Sequence, residues 1–292
     1  MIATLVAHDG LGQGVIDAAR DVLADAGLKV GTARWIDTEE AIDLPFVGDK
    51  EVARAALEVA RFDADIFVIE PAVRDCCLFV ADMDSTMITV ECIDELADYA
   101  GLKEQIADVT ERAMRGELDF AAALSGRVAL LAGLDAAMID VCRAERVKIM
   151  PGAKALVRTL RGRGATTILV SGGFVPFAQP VAEEIGFDKA VANILHIADG
   201  KLAGTVAAPI VDAERKRREL VTAATELGLG HAQSLAIGDG ANDIPMIQAA
   251  GFGIAYHAKP KTRAAAMAAV DRGDLSTVLH ALGIPRSKWI VE

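Results

Sequence analysis

Four short apolar runs separated by stretches of helical periodicity constrain this chain more than any other feature: Cys76 to Ala81, Thr166 to Val170, Ser234 to Ile237 and Gly253 to Ala255. Strands buried on both faces read as unbroken apolar runs, and alternation of such strands with helices folds as a parallel sheet with crossover connections. Three of the runs end in chemically loaded segments: Asp82 to Thr86, Ser171 to Gly173, and Gly238 to Asp243. Open α/β sheets bind ligands at the carboxyl ends of their strands. The three segments are therefore expected at one edge of one sheet.

Residues 1–72 read as a small α/β unit that precedes this sheet. The pattern predicts strands at Ile2 to Ala7, near Lys29 to Ile36 and at Ile66 to Ile69, with helices Val15 to Ala26 and Val52 to Ala60. Pro71 and the polar Arg74 and Asp75 then break the pattern, which predicts a domain boundary and leaves residues 73–292 to the parallel sheet. Between Ala81 and Thr166 no strand signal is present, whereas Ile93, Leu96, Ala97 and Ala100 recur at helical spacing, as do Leu124, Val128 and Leu131. This predicts a helical cap inserted at about residues 90–150, ended by Pro151 and Gly152 at the start of a helix Ala153 to Leu160. Such a cap can enclose a small ligand against the sheet edge.

Several function classes are disfavoured. A formal net charge of −12 gives no long-range attraction to phosphate backbones or anionic lipid surfaces, so neither nucleic acid nor membrane is an expected partner. No segment approaches the ~20 apolar residues needed to span a bilayer, and no basic segment followed by an apolar one marks the N-terminus, so a cytoplasmic location is expected. Cys76, Cys77, Cys92 and Cys142 show no CxxC spacing and read as reduced core residues, and the five histidines form no ligand-spaced pair. Gly10, Gly12 and Gly14 lack the GxGxxG spacing of a dinucleotide site.

An acidic chain acting on an anion must supply positive charge locally. Asp82 and Asp84 emerge together from the first core strand, and in extended backbone they point the same way. Surface turns also produce Asp-x-Asp pairs, but Asp239 and Asp243 repeat the strand-end placement, and Ser171 to Gly173 can offer a hydroxyl and unhindered N–H groups to a phosphate. Converging carboxylates would repel a phosphate dianion unless a hard divalent cation and a lysine were present. Mg²⁺ fits an oxygen-only donor set, and Lys216, in the basic run Arg215 to Arg218, is a candidate for the lysine although such a run also reads as a solvated helix face. An aspartate ionised at neutral pH can attack phosphorus without a base, so Asp82 can be a nucleophile. A second carboxyl must arrive protonated to serve the leaving alkoxide, and Asp84, crowded by Asp82 and the phosphate, is expected to have a raised pKa.

The ordered motifs DMDST (Asp82 to Thr86), SGG (Ser171 to Gly173), Lys216 and GDGAND (Gly238 to Asp243) resemble the haloacid dehalogenase superfamily. VECIDE (Val90 to Glu95), TERAMRGELDF (Thr110 to Phe120) and VDAERK (Val211 to Lys216) extend the resemblance, from Cys76 to about Leu282, to the phosphoserine phosphatase family. The resemblance implies a Rossmann-like core with an inserted cap, preceded by an ACT-like α/β module of regulatory type. It implies hydrolysis of a small phosphomonoester, O-phosphoserine, through a phospho-aspartyl intermediate, with Mg²⁺ as cofactor. It further implies Asp82 as nucleophile and metal ligand, Asp84 as acid/base and backbone ligand, and Asp239 as the third ligand. Ser171, Lys216 and the Gly172 N–H would hold phosphoryl oxygens, with Asn242 and Asp243 ordering phosphate and water. Glu91 and Arg127 would recognise the amino acid part, with Met114 and Phe120 packed near them. A homodimer and an amino acid ligand at the N-terminal module are compatible with the resemblance. Two other readings are a phosphotransferase acting on an alcohol such as homoserine, and a non-catalytic amino acid sensor.

Overall fold

The computed structural model describes residues 1–7, 9–114, 117 and 119–291. Its N-terminal part runs β1 (Ile2–Val6), α1 (Gln13–Asp25), β2 (Lys29–Val30), β3 (Arg34–Asp37), β4 (Ala41–Val47), α2 (Lys50–Ala60) and β5 (Asp65–Ile69). These strands form an antiparallel sheet in the order β2-β4-β1-β5, with β3 also paired to β4. That is a ferredoxin-like βαββαβ arrangement, the topology of an ACT-like module. The alternation along the strands assigns each face. Ala3, Leu5, Ile42, Leu44, Ile66 and Val68 pack with Ile16, Leu23 and Leu57 of the two helices. Val6, Ala41, Phe67 and Ile69 belong to the other face, which lies in the core of the C-terminal part.

The sequence predicts one strand near Lys29 to Ile36 and none at Ala41 to Val47. Instead the former segment splits into the two short edge strands β2 and β3, and β4 sits inside the sheet. Asp43 and Pro45 conceal β4, because a carboxylate and a proline both argue against a buried strand. Asp43 is accommodated because Arg74 donates to both its oxygens at 2.7 Å and the Thr4 hydroxyl donates at 2.8 Å.

The C-terminal part begins with β6 (Leu78–Ala81), shorter at its start than predicted, so that Cys76 and Cys77 lie ahead of the strand and are half-buried. Four helices follow: α3 (Cys92–Tyr99), α4 (Lys103–Met114), α5 (Phe120–Leu130) and α6 (Ala137–Arg146). The chain then continues through α7 (Ala153–Gly162), β7 (Thr166–Phe174), α8 (Val175–Ile185), β8 (Lys189–Asn193) and a hairpin of β9 (Leu195–Ala198) and β10 (Lys201–Val206). The last elements are α9 (Ala213–Glu226), β11 (Ser234–Gly238), α10 (Ile244–Ala249), β12 (Phe252–Tyr256), α11 (Pro260–Ala265), β13 (Ala268–Val270) and α12 (Thr277–Ala281).

Six strands make a parallel sheet in the order β13-β12-β11-β6-β7-β8. Successive strands step outward from β6 through β7 to β8, and then from β11 outward on the other side. The crossovers reverse between β6 and β11, which is the crevice where open α/β sheets take their ligands. The sequence does not signal β8, the hairpin or β13, all of which are short or half-exposed.

The two parts share one apolar core. The Phe67 ring meets Phe252 edge to face at 6.4 Å, and the Asp65 carboxylate accepts N–H bonds from Asp271, Arg272 and Gly273 at 2.8–3.1 Å. The His280 ring is buried against Asp37 at 2.8 Å, so it too joins the two parts. Among the described residues, no helix is long and apolar enough to cross a membrane.

Candidate active site

Every residue of β6 is fully buried, with Leu78 and Val80 toward one side of the sheet and Phe79 and Ala81 toward the other. The Asp82 N–H continues the ladder to the Ile237 carbonyl at 3.0 Å, which fixes where the Asp82 carboxylate begins. The chain then turns sharply. Thr86, Met87 and Ile88 all donate to the Met83 carbonyl, and Ser85 adopts a left-handed φ of 56°. This turn returns Glu91 toward the strand end, where its carboxylate accepts a bond from the Ser85 hydroxyl at 2.8 Å.

Lys216 projects from α9 into the protein and is 1% exposed, unlike the solvated face that its basic neighbours suggest. Its ammonium donates to Asp82 and, at 2.7 Å, to Asp243. The second oxygen of Asp243 accepts the Gly240 N–H at 3.0 Å. Gly238 has to be glycine, because a Cβ there would lie 2.5 Å from the Asp243 carboxyl carbon. Carboxylate oxygens of Asp82, Asp239 and Asp243 gather within 4.8 Å of one another, and the Thr86 hydroxyl reaches Asp239 at 3.5 Å.

This crowding governs protonation. Burial first, then Asp243, pushes the Asp82 pKa up, against the opposing charge of Lys216. Asp84 is pushed up to about 7 by burial and then by Glu91. Asp239 rises to about 6 through burial, Asp243 and Glu91. Burial works against the Lys216 charge, yet Asp243 and Asp82 together hold its pKa above the usual lysine value. Carboxylates that resist ionisation in this way favour an added cation, and an all-oxygen set suits a hard one.

The Ser171 hydroxyl accepts the Gly173 N–H at 2.8 Å. A Cβ built on Gly173 would stand 3.0 Å from the Ser171 oxygen and 3.1 Å from an Asp84 oxygen, so these groups face one small space. From the helical insertion, the Phe120 ring rests on the same loop, 3.2 Å from where a Gly172 Cβ would lie. Arg127 lies on α5, and its Nε is buried with no hydrogen-bond partner among the described residues. Asn242 occupies a short 3₁₀ turn between Asp239 and Asp243. Met114 ends α4, and its side chain lies outside the described residues.

Three polar groups here were given no role by sequence reasoning. Ser85 and Thr86 stand within a motif already singled out, so their positions were legible and their partners were not. Asn193 ends a strand that the sequence does not signal.

A family model of haloacid dehalogenase-like hydrolases matches residues 78–251, the span that holds every residue of this site. A phosphoserine phosphatase of Polaromonas sp. is 43% identical over 211 residues, covering 70% of this chain and 89% of that protein. The chain belongs to the phosphoserine phosphatase family of haloacid dehalogenase-like hydrolases. A phosphoserine phosphatase of Streptomyces coelicolor is 47% identical over 244 residues, covering 82% of this chain, and that match spans 59% of the relative's length. The family likeness extends beyond the parallel sheet. The crystal structure of a probable phosphoserine phosphatase from Vibrio cholerae in unliganded form superposes with a TM-score of 0.79 at 33% identity, covering 98% of this chain and 87% of that one.

Proposed function

We propose that this chain hydrolyses O-phosphoserine to serine and phosphate with Mg²⁺, the last step of serine biosynthesis, in the cytoplasm. The observation that carries this reading is Asp82, buried at the end of β6 and paired with Lys216 beside Asp239. Asp82 and Asp239, with the Asp84 carbonyl, would hold Mg²⁺, whose charge offsets that of the phosphate dianion. Asp243 is taken up by Lys216 and Gly240, and its part is to brace that lysine.

In the first step an Asp82 oxygen bonds to phosphorus as the ester P–O bond breaks, and Asp84 gives its proton to the departing serine oxygen. A pKa of about 7 keeps Asp84 protonated in part of the population at neutral pH. In the second step Asp84 takes a proton from water, the resulting hydroxide attacks phosphorus, and the bond to Asp82 breaks to release phosphate. Lys216, the Ser171 hydroxyl and the Gly172 N–H hold the phosphoryl oxygens, and Asn242 orders the same pocket. Arg127 takes the serine carboxylate and Glu91 its ammonium, with Phe120 closing the space around them. The Arg127 Nε, buried without a hydrogen-bond partner among the described residues, supports that assignment.

The same reading treats residues 1–72 as an ACT-like domain, suited to an amino acid ligand or to a homodimer contact, and residues 73–292 as the phosphatase domain. A screen of phosphomonoesters measuring free phosphate, with Mg²⁺ and with EDTA, tests the function. Phosphoserine is expected to be the preferred substrate and EDTA to abolish turnover. Phosphate release that appears only when an alcohol such as homoserine is added would overturn hydrolysis in favour of transfer.

A further inference from the structure

The Ser171–Gly173 loop interrupts a ladder. β7 and β8 pair with Val170 opposite Val191 and resume with Phe174 opposite Asn193, so three residues of β7 stand opposite Ala192 alone. A bulge of this kind turns backbone groups away from their usual partners, and each must find another. The Gly172 carbonyl finds Asn193, whose Nδ2 donates to it at 2.8 Å. The other end of the same amide, Oδ1, accepts the Val211 N–H at 2.8 Å. Asn193 is 2% exposed and contributes both ends of its amide to backbone groups.

The consequence follows from peptide geometry. The Gly172 carbonyl and the Gly173 N–H belong to one planar trans peptide and point in opposite directions. Asn193 holds that plane by the Gly172 carbonyl, while the Gly173 N–H at the other side of the plane donates to the Ser171 oxygen. With its oxygen accepting from Gly173, the Ser171 hydroxyl is left to donate its own hydrogen toward a phosphoryl oxygen. The second bond of Asn193 fixes Val211, next to Asp212, the residue that caps the helix carrying Lys216. One buried amide thus ties the loop that carries Ser171 to the segment that leads into Lys216.

We propose that Asn193 is a positioning residue for phosphoryl transfer, setting Ser171 and its loop relative to Lys216. The inference rests on the phosphatase reading above and adds a residue outside the motifs that carry it. Asn193→Asp tests it in the full chain with Mg²⁺, because an ionised carboxylate keeps the acceptor for Val211 but loses the donor to Gly172. The expected result is a fall in kcat of roughly tenfold or more on both phosphoserine and p-nitrophenyl phosphate, with the ratio of their kcat/KM values unchanged and inhibition by inorganic phosphate weakened. Asn193→Ser, which is uncharged and too short to reach Gly172, carries the same comparison if Asn193→Asp does not fold. A folded variant with wild-type kcat on both substrates overturns the inference even if its thermal midpoint drops, since Asn193 would then only brace the fold. A loss confined to phosphoserine overturns it as well. Absence of phosphatase activity in the wild-type chain instead overturns the parent reading, so the two failures are separable.

Discussion

At the residue scale, the site places one buried ammonium among carboxylates that crowd one another. Asp82→Asn is expected to abolish turnover while the fold persists, because the amide keeps the size of the carboxylate but cannot attack phosphorus, and Lys216 keeps Asp243 as its partner. Phosphate release by a verified pure sample of that variant would sink the assignment of the nucleophile. Arg127→Ala should lose an ion pair formed in a partly dry pocket, about 2 to 5 kcal/mol on phosphoserine. p-Nitrophenyl phosphate, which has no carboxylate, should suffer far less, and the ratio of kcat/KM values on the two substrates reads the difference. The raised carboxylates set a pH dependence. Asp84 and Asp239 have folded pKa values of about 7 and about 6, above an unfolded value near ~4, so their contribution to metal-free stability is full below ~4 and declines as pH rises through 6 and 7. Mg²⁺ requires Asp239 in its ionised form, whereas Asp84 would bind it through the backbone carbonyl. The rise in thermal midpoint on adding Mg²⁺ should therefore grow from about pH 5 to about pH 8, and a shift that shrinks over that range would contradict the metal assignment.

At the scale of elements, the helical insertion is held by more than its two connections. The β9–β10 hairpin lies against α5 and the turn after it: Gly133 donates to Leu202, and Leu202 to Leu134, both at 2.8 Å. Gly204 makes the close approach possible. Its φ of 74° is left-handed, and an added Cβ would lie 2.8 Å from that of Ala132. Gly204→Ala must bear both the backbone strain, about 1–2 kcal/mol, and the displacement of α5. The thermal midpoint should fall by several degrees, read by calorimetry, and turnover of phosphoserine should fall more than that of p-nitrophenyl phosphate because α5 carries Arg127. Equal kinetics on both substrates would show that the hairpin does not govern the placement of α5.

At the scale of the whole molecule, the N-terminal sheet buries both its faces, one under α1 and α2 and the other in the core of the C-terminal part. A chain begun at Arg74 keeps every proposed catalytic residue but uncovers Phe252 and its neighbours and leaves Arg74 without Asp43. Such a chain should retain turnover per folded molecule while melting at a lower temperature, as measured by active-site titration beside a thermal scan. A folded fragment unable to hydrolyse any phosphomonoester would show that residues 1–72 contribute to the site.

Much of the core was legible locally, because an apolar run followed by Asp-x-Asp or by glycines reports both a buried strand and what stands at its end. The motif order from Asp82 to Asp243 therefore carried the sheet, the cap and the hydrolase class. What remained hidden depends on partners far along the chain. Lys216 looks like part of a solvated Arg-Lys-Arg-Arg face and is buried because Asp82 and Asp243 neutralise it. Asp43 looks unfit for an inner strand until Arg74 is folded against it. Asn193 carries no signal in the sequence and becomes a link only when Gly172 and Val211 reach its two ends. Periodicity records how a segment is buried, but the neutralisation of a charge or the satisfaction of an amide is a pairing between segments, and it exists only once the chain has folded.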